Sequence, residues 1–205
     1  MLPWLQTHYI ELLGAITGII FLYLEIKRNI WLWPFGLITS ALYVYIFFVS
    51  KFYADMGLQV YYLVISIYGW WHWLYGGKDQ KKDSLPISRL KVKLALPLLA
   101  VTVAIFAVLV YVLINFTDSP VPYGDAFTTA LSITATWMLA RKILDMWWVW
   151  MVVNSVALGL YIYKGLYPTS VLYFLYFSMS IVGYLQWKRY FSEQFADQQP
   201  ATLNP

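Results

Sequence analysis

The sequence predicts an all-α integral membrane protein with seven transmembrane helices. The chain of 205 residues is 61% hydrophobic and 20% aromatic. Only 12% of its residues are charged, about half the ~25% that is usual in soluble domains. Long apolar runs recur along the chain. In lipid such runs must be helical, because each unpaired backbone group costs several kcal/mol there.

A spanning helix needs about 20 predominantly apolar residues. Seven segments approach or reach this length: Ile10–Leu24, Ile30–Val49, Gly57–Tyr75, Leu94–Asn115, Asp125–Ala140, Met146–Tyr163 and Pro168–Trp187. The first and fifth are short, so they require snorkelling flanks or a thinner bilayer. No cleavable signal peptide is expected, because the opening residues lack a basic region. The chain has no cysteine, which excludes disulfides and thiolate metal sites.

The distribution of basic residues predicts the orientation in the membrane. Lys51 and Lys164 fall on one side, and all other Lys and Arg residues fall on the other. The N-terminus is therefore expected outside the cell and the C-terminus in the cytoplasm. The basic run KDQKKDSLPISRLKVK is interpreted as a topology signal and linker, not as a nucleic-acid site. Residues 188–205 are predicted to form a cytoplasmic, partly disordered tail.

The chain resembles itself at an offset of 114 residues, which aligns Trp33 with Trp147. Matches cluster at Tyr53/Tyr167, Leu58/Leu172, Tyr62/Tyr176, Ser66/Ser180, Gly69/Gly183 and Trp73/Trp187. The predicted three-helix repeats, residues 10–75 and 125–187, share one orientation because an odd helix, residues 94–115, separates them. The expected architecture is two parallel three-helix bundles joined by a linking helix (3+1+3), as in SWEET-type transporters. Substrate sites in repeat transporters lie between the repeats near the midplane.

Several polar side chains are predicted at that depth. Asn154 lies in the middle of the sixth segment, and its repeat mate Ser40 lies beside Thr39 in the second. Ser66 and Ser180 lie near the centres of the third and seventh segments. Such groups usually face the bundle interior or a cavity, which indicates a substrate site. The structural alternative is that the hydroxyls bond their own helix and that Asn154 joins two helices.

Aromatic residues divide into two groups. Those at segment ends are assigned to interfacial belts: Trp31, Trp33, Trp147, Trp148, Trp187 and the Trp70–Trp73 cluster. Tyr62, Tyr176 and Trp150 lie deeper, and Trp150 shares a face with Asn154 four residues later. Gln59 lies one turn from Tyr62. An amide beside an indole suits a flat, polar, cationic ring, whereas core packing is the alternative for the three deeper aromatics.

No carboxylate is predicted in the middle of a segment, and the two histidines are His8 and His72. Proton relays and sodium sites usually require such groups or broken helices. Facilitated diffusion (uniport) is therefore favoured, and no enzyme activity, metal or cofactor is expected. Asp118 and Asp125, on the outer side, are candidates to attract a cation, with capping of the fifth segment as the alternative for Asp125.

The stretches WPFGLITSALYVYIFFVSKFYADMGLQVYYLVISIYGWWHW and DAFTTALSITATWMLARKILDMWWVWMVVNSV resemble the PnuC family of bacterial vitamin transporters. The resemblance runs from about Ile10 to Trp187 through the ordered motifs F-G-L-I, L-Q-V, I-Y-G-W, R-K and W-x-x-W. It implies a SWEET-like protein of the inner membrane that commonly forms a homotrimer. It also implies facilitated diffusion of a vitamin or vitamin precursor, which a cytoplasmic kinase then traps. Gln59, Trp150 and Asn154 match site positions of nicotinamide riboside transporters.

The substrate stays open at this point. Thr39 and Ser66 stand where the nicotinamide riboside branch usually has Asn, so the thiamine branch, PnuT, competes equally. Both vitamins carry a cationic aromatic ring, and riboflavin is a third candidate. A seven-helix structural or signalling membrane protein that moves no ligand is the alternative from another class.

Overall fold

The computed structural model describes residues 17–49, 53–77, 85–165 and 167–196. Seven helices follow one another there: α1 (Thr17–Ile26), α2 (Leu32–Val49), α3 (Tyr53–Tyr75), α4 (Val92–Phe116), α5 (Pro122–Ala140), α6 (Met146–Tyr163) and α7 (Tyr167–Ala196). Among the described residues the only β-type pairing is one parallel bridge between Ser88 and Ile143. The all-α class and the seven helices are thus confirmed. The predicted start of the first segment and the tail beyond residue 196 lie outside the described residues.

The helix ends differ from the predicted ones by a few residues, and α7 differs most. Its segment is predicted to end at Trp187, but the helix continues to Ala196. Arg189 and Glu193, one turn apart in this extension, form an exposed ion pair with a distance of 2.9 Å. Pairs at this spacing favour helix formation slightly. The extension is therefore an ordered helix end, and it reaches the linker between α3 and α4.

By length and composition, two of the described helices are apolar enough to cross a membrane, α4 and α6. The apolar parts of α1 and α2, Thr17–Ile26 and Leu32–Tyr45, are shorter. Thr102 is the buried residue of α4, whereas nine large apolar side chains between Val92 and Phe116 are exposed. An exposed apolar surface of this length favours contact with lipid over contact with water.

The chain folds as two compact units, Met1–Leu85 and Pro86–Pro205, called here the first and second units. In the first unit α2 packs along α3. In the second unit α4 packs on α5, α5 on α6 and α6 on α7. The hydroxyl groups of Thr102 and Thr134 meet in the interior at 2.7 Å, which gives the α4–α5 contact a polar bond.

Each unit contains the same close packing of a tryptophan on a glycine. In the first unit the Trp33 ring covers Gly69 so tightly that an added methyl group would overlap it. In the second unit Trp147 covers Gly183 in the same way. These four positions are the ones that the offset of 114 residues aligns. The two units therefore share this local packing at positions that the offset aligns.

In each unit a second tryptophan packs edge-to-face against the first. Trp73 meets Trp33 with ring centroids 5.5 Å apart at 90°, and Trp187 meets Trp147 at 5.9 Å and 78°. All four rings are at most 2% exposed. Their assignment to interfacial belts is therefore wrong, because they fill the contact between two helices. Trp31, Trp70, Trp71 and Trp148 are exposed, as a belt requires.

The ends of α1 and α5 also match. Arg28 and Lys142, aligned by the same offset, have positive φ angles of 55° and 50°. In each case this residue donates its N–H to the carbonyl three residues back, and the next residue donates to the carbonyl five residues back. This is a Schellman turn, which usually has glycine at the left-handed position. The R-K motif thus marks equivalent helix ends in the two units.

Part of the linker after α3 packs on the second unit. The backbone N–H of Ile87 donates to Oε1 of Gln194 at 3.0 Å, and Nε2 of Gln194 donates to the Ile87 carbonyl at 3.2 Å. Leu90 N donates to Oδ2 of Asp145 at 2.7 Å, and Ser88 forms the bridge to the loop after α5. This stretch has a structural role beyond that of a topology signal.

Gly69→Ala is expected to lower thermal stability, because the new methyl group has no space beside the buried Trp33 ring. Overpacking of this kind costs about 1–3 kcal/mol, with roughly 2–4 °C of Tm per kcal/mol for a chain of this size. Tryptophan fluorescence during heating of the detergent-purified protein measures it. Gly57→Ala on the same helix is the control, since no atom lies within 4 Å of the added methyl group. Equal Tm shifts in the two variants would contradict the packing role.

Candidate functional site

Helix α6 presents two predicted site residues on one face. Trp150 and Asn154 are four residues apart, which is about one helical turn. Asn154 is 6% exposed. The Nε1 atom of Trp150 is buried and has no hydrogen-bond partner among the described residues. Buried indole N–H groups usually have an acceptor, so the unpaired donor keeps Trp150 a candidate for contact with a ligand.

Asn154 has its partner on the neighbouring helix α7. Its Nδ2 donates to Oγ of Ser180 at 3.1 Å, and Ser180 Oγ donates to the backbone carbonyl of Tyr176 at 2.7 Å. Both structural roles considered for these residues therefore occur, since Ser180 bonds its own helix and Asn154 joins two helices. The bond uses one N–H of the amide. One N–H and the Oδ1 atom have no partner among the described residues and are available for a ligand.

Aromatic rings continue the site along α6 and α7. The Tyr176 ring meets Tyr173 at a centroid distance of 5.7 Å, and Tyr173 meets Tyr161 of α6 at 4.8 Å. Tyr176 is half-buried and lies one turn before Ser180. The structure therefore brings four predicted residues, Trp150, Asn154, Tyr176 and Ser180, onto the contact of two helices within the second unit.

The remaining predicted residues lie on α2 and α3 of the first unit. Ser40 and Ser66 are buried, whereas Thr39, Gln59 and Tyr62 are half-buried. Gln59, Tyr62 and Ser66 follow one another at spacings of three and four residues, which places them on one side of α3. Their role as substrate contacts stays a prediction.

The two units differ in side-chain size at two pairs of aligned positions that carry no charged group. A methyl group added to Gly36 would lie 3.1 Å from Ser66 Oγ and 3.3 Å from a ring carbon of Phe21. The offset of 114 residues aligns Gly36 with Trp150 and Phe21 with the fully buried Ala135. The large ring is thus Phe21 on α1 in the first unit, whereas in the second unit it is Trp150 on α6. Comparing side-chain sizes at aligned positions would have found this exchange.

Asp125, near the start of α5, is paired. Its Oδ1 lies 3.2 Å from Nζ of Lys164, and its Oδ2 accepts a bond from Ser119 Oγ at 2.6 Å. The N-cap of α5 is Val121, which makes no side-chain capping bond. The interpretation of Asp125 as a cap is wrong, and its ion pair reduces the attraction for other cations. No group of three or more metal-binding side chains occurs among the described residues.

Comparison with known proteins decides the family. A sequence model described as nicotinamide mononucleotide transporter matches residues 8–189. The chain belongs to the PnuC family. The nicotinamide riboside transporter PnuC of Escherichia coli K12 is 28% identical over 203 residues, covering 87% of this chain and 84% of that protein. The riboflavin/roseoflavin transporter RibM of Streptomyces davaonensis is 25% identical over 179 residues, covering 86% and 83%.

The fold agrees with a solved structure of the same family. The crystal structure of the vitamin B3 transporter PnuC superposes with a TM-score of 0.69 at 25% identity, covering 91% of this chain and 83% of that chain. The resemblance inferred from the sequence motifs is thereby confirmed. As a PnuC family member, the chain is a vitamin transporter of the bacterial inner membrane. This accounts for the exposed apolar surface of α4.

A double-mutant cycle is expected to detect the bond between Asn154 and Ser180. Unfolding free energies of Asn154→Ala, Ser180→Ala and the double variant should show a coupling of about 0.6 kcal/mol, with about 1.7 kcal/mol as the upper end for such bonds in membrane proteins. The control cycle pairs Asn154→Ala with Ser178→Ala, because the Ser178 hydroxyl bonds only its own helix at Phe174. A coupling no larger than that of the control would exclude the bond.

Proposed function

We propose that the chain is a uniporter for nicotinamide riboside. The observation that carries this proposal is the α6 face, where a buried, unpartnered indole N–H lies one turn from a buried amide. An indole face attracts a cationic aromatic ring, and the free N–H and Oδ1 of Asn154 match the edge of a carboxamide. The names of the Escherichia coli and Neisseria mucosa relatives, both nicotinamide riboside transporters, support the same substrate.

The positions of the acidic residues support a passive mode of transport. In the described part of the chain every Asp and Glu residue belongs to a helix end or a loop: Glu25, Asp55, Asp118, Asp125, Asp145 and Glu193. Coupling to protons or sodium usually requires ionisable groups deep in the bundle. Downhill diffusion across the membrane, followed by trapping through a cytoplasmic kinase, fits this distribution.

The proposed architecture is the 3+1+3 arrangement in a homotrimer, with the N-terminus outside and the C-terminus in the cytoplasm. The equivalent Trp–Gly contacts and helix ends of the two units support the repeat. The excess of Lys and Arg on the side of Arg28 and Lys142 supports the orientation.

Riboflavin is the second candidate, because the RibM relative covers nearly as much of the chain as the PnuC relative does. Thiamine also offers a cationic aromatic ring to Trp150. Titration of the purified protein with all three vitamins separates the candidates. Tighter binding of riboflavin or thiamine than of nicotinamide riboside would replace the proposed substrate.

Trp150→Phe is expected to weaken nicotinamide riboside binding roughly 3- to 10-fold. The variant keeps an aromatic ring but removes the N–H, and one hydrogen bond contributes about 0.5–1.5 kcal/mol. Calorimetric titration in detergent measures the Kd. Trp148→Phe on the same helix is the control, because Trp148 is exposed and packs on Tyr184. Unchanged affinity in Trp150→Phe would remove the indole N–H from the site.

Proteoliposomes test the uniport mechanism. Uptake of radiolabelled nicotinamide riboside should stop at equal concentrations inside and outside when the membrane potential is zero. A clamped potential, negative inside, should raise the plateau roughly tenfold per 60 mV, because the ligand carries one positive charge. Empty liposomes give the background. Accumulation driven by a proton or sodium gradient at zero potential would refute uniport.

A further inference from the structure

The orientation of the Asn154 amide is fixed by its neighbour. Rotation by half a turn exchanges Nδ2 and Oδ1, so an isolated amide has two orientations. The hydroxyl of Ser180 has one hydrogen, which it directs to the Tyr176 carbonyl at 2.7 Å. Its lone pairs therefore face Asn154 and accept Nδ2 at 3.1 Å. While the hydroxyl stays bonded to the Tyr176 carbonyl, a reversed amide would place Oδ1 of Asn154 against Oγ of Ser180 with no hydrogen between them. This is costly because Asn154 and Ser180 are only 6% and 2% exposed.

We propose that Ser180 is a positioning residue that makes the transporter select a carboxamide over a carboxylate. With Nδ2 held by Ser180, Asn154 presents Oδ1 beside one N–H. A primary carboxamide pairs with this edge through one donated and one accepted bond. A carboxylate has acceptors only, and one of its oxygens must face Oδ1. The inference rests on the proposed function, and it predicts that nicotinamide riboside is accepted and nicotinic acid riboside rejected.

The first unit has no counterpart of this device. The positions aligned with Asn154 and Ser180 are Ser40 and Ser66, both buried. Neither position carries an amide, so no side chain there presents one donor beside one acceptor in a fixed order. Selection between carboxamide and carboxylate therefore depends on the second unit.

The experiment compares the two ribosides on purified full-length protein at neutral pH, with Kd measured by calorimetry. Wild type should bind nicotinamide riboside at least about tenfold more tightly than nicotinic acid riboside, as expected when a buried polar edge is mismatched. In Ser180→Ala the amide is free to rotate and to offer both N–H groups to the carboxylate. The ratio of the two Kd values should then fall to about threefold or less.

Two further variants distinguish positioning from a purely structural role. Ser180→Thr keeps the hydroxyl and should retain the wild-type ratio, and Ser178→Ala should leave it unchanged. If Ser180→Ala does not fold, Ser180→Cys replaces it, because a thiol is a weak acceptor.

The outcomes separate this inference from the proposed function. A Ser180 variant that weakens both ligands equally, or a wild-type ratio near one, would overturn the inference alone. If wild type binds neither riboside, the proposed function fails and the inference fails with it.

Discussion

Packing of an indole ring on a glycine controls the geometry of both units. Trp33 on Gly69, and Trp147 on Gly183, bring two helices close at one point. Ser40 and Asn154 lie seven positions after the two tryptophans, and Ser66 and Ser180 lie three positions before the two glycines. All four are buried polar residues. Seven residues are about two helical turns and three are nearly one, so each lies on the same side of its helix as the contact. In the second unit these two polar residues, Asn154 and Ser180, are hydrogen-bonded to each other across the helix contact.

The tryptophans of this contact carry an energetic cost. The Nε1 atoms of Trp33 and Trp147 are buried and have no hydrogen-bond partner among the described residues. An unsatisfied buried donor costs about 1–3 kcal/mol. Burial of such a large ring, with an edge-to-face partner, offsets this cost. The same unsatisfied group at Trp150 has no such edge-to-face indole among the described contacts, which is why a ligand acceptor is the better explanation there.

Hydropathy was sufficient to predict seven helices, and the offset of 114 residues aligns the tryptophan–glycine contacts that both units contain. They do not give side-chain direction, so core and belt tryptophans at helix ends look alike in sequence. The feature that distinguishes the core tryptophans in the sequence is a glycine four residues before Trp73 and before Trp187. The depth of Asn154 and Ser180 in their segments made both of them candidates. Their hydrogen bond could not be predicted, because contacts between helices are not encoded in local spacing. The linker contact of Gln194 with Ile87 was missed for the same reason, since it joins backbone groups to a side chain 107 residues away.

The positions that the offset of 114 residues aligns fall into those that the two units share and those at which they differ. Aligned positions keep the groups that fix the helices, namely the tryptophans, the glycines and the left-handed helix ends. They differ at the proposed ligand contacts, as with Ser40 and Asn154, or Gly36 and Trp150. The proposed contact groups are all neutral. Neutral hydrogen-bonding groups and an aromatic face bind a cation less tightly than a buried carboxylate would, since charge-assisted bonds are roughly twice as strong. Moderate binding by neutral groups agrees with the proposed uniport, in which the substrate is released on the far side without an ion gradient.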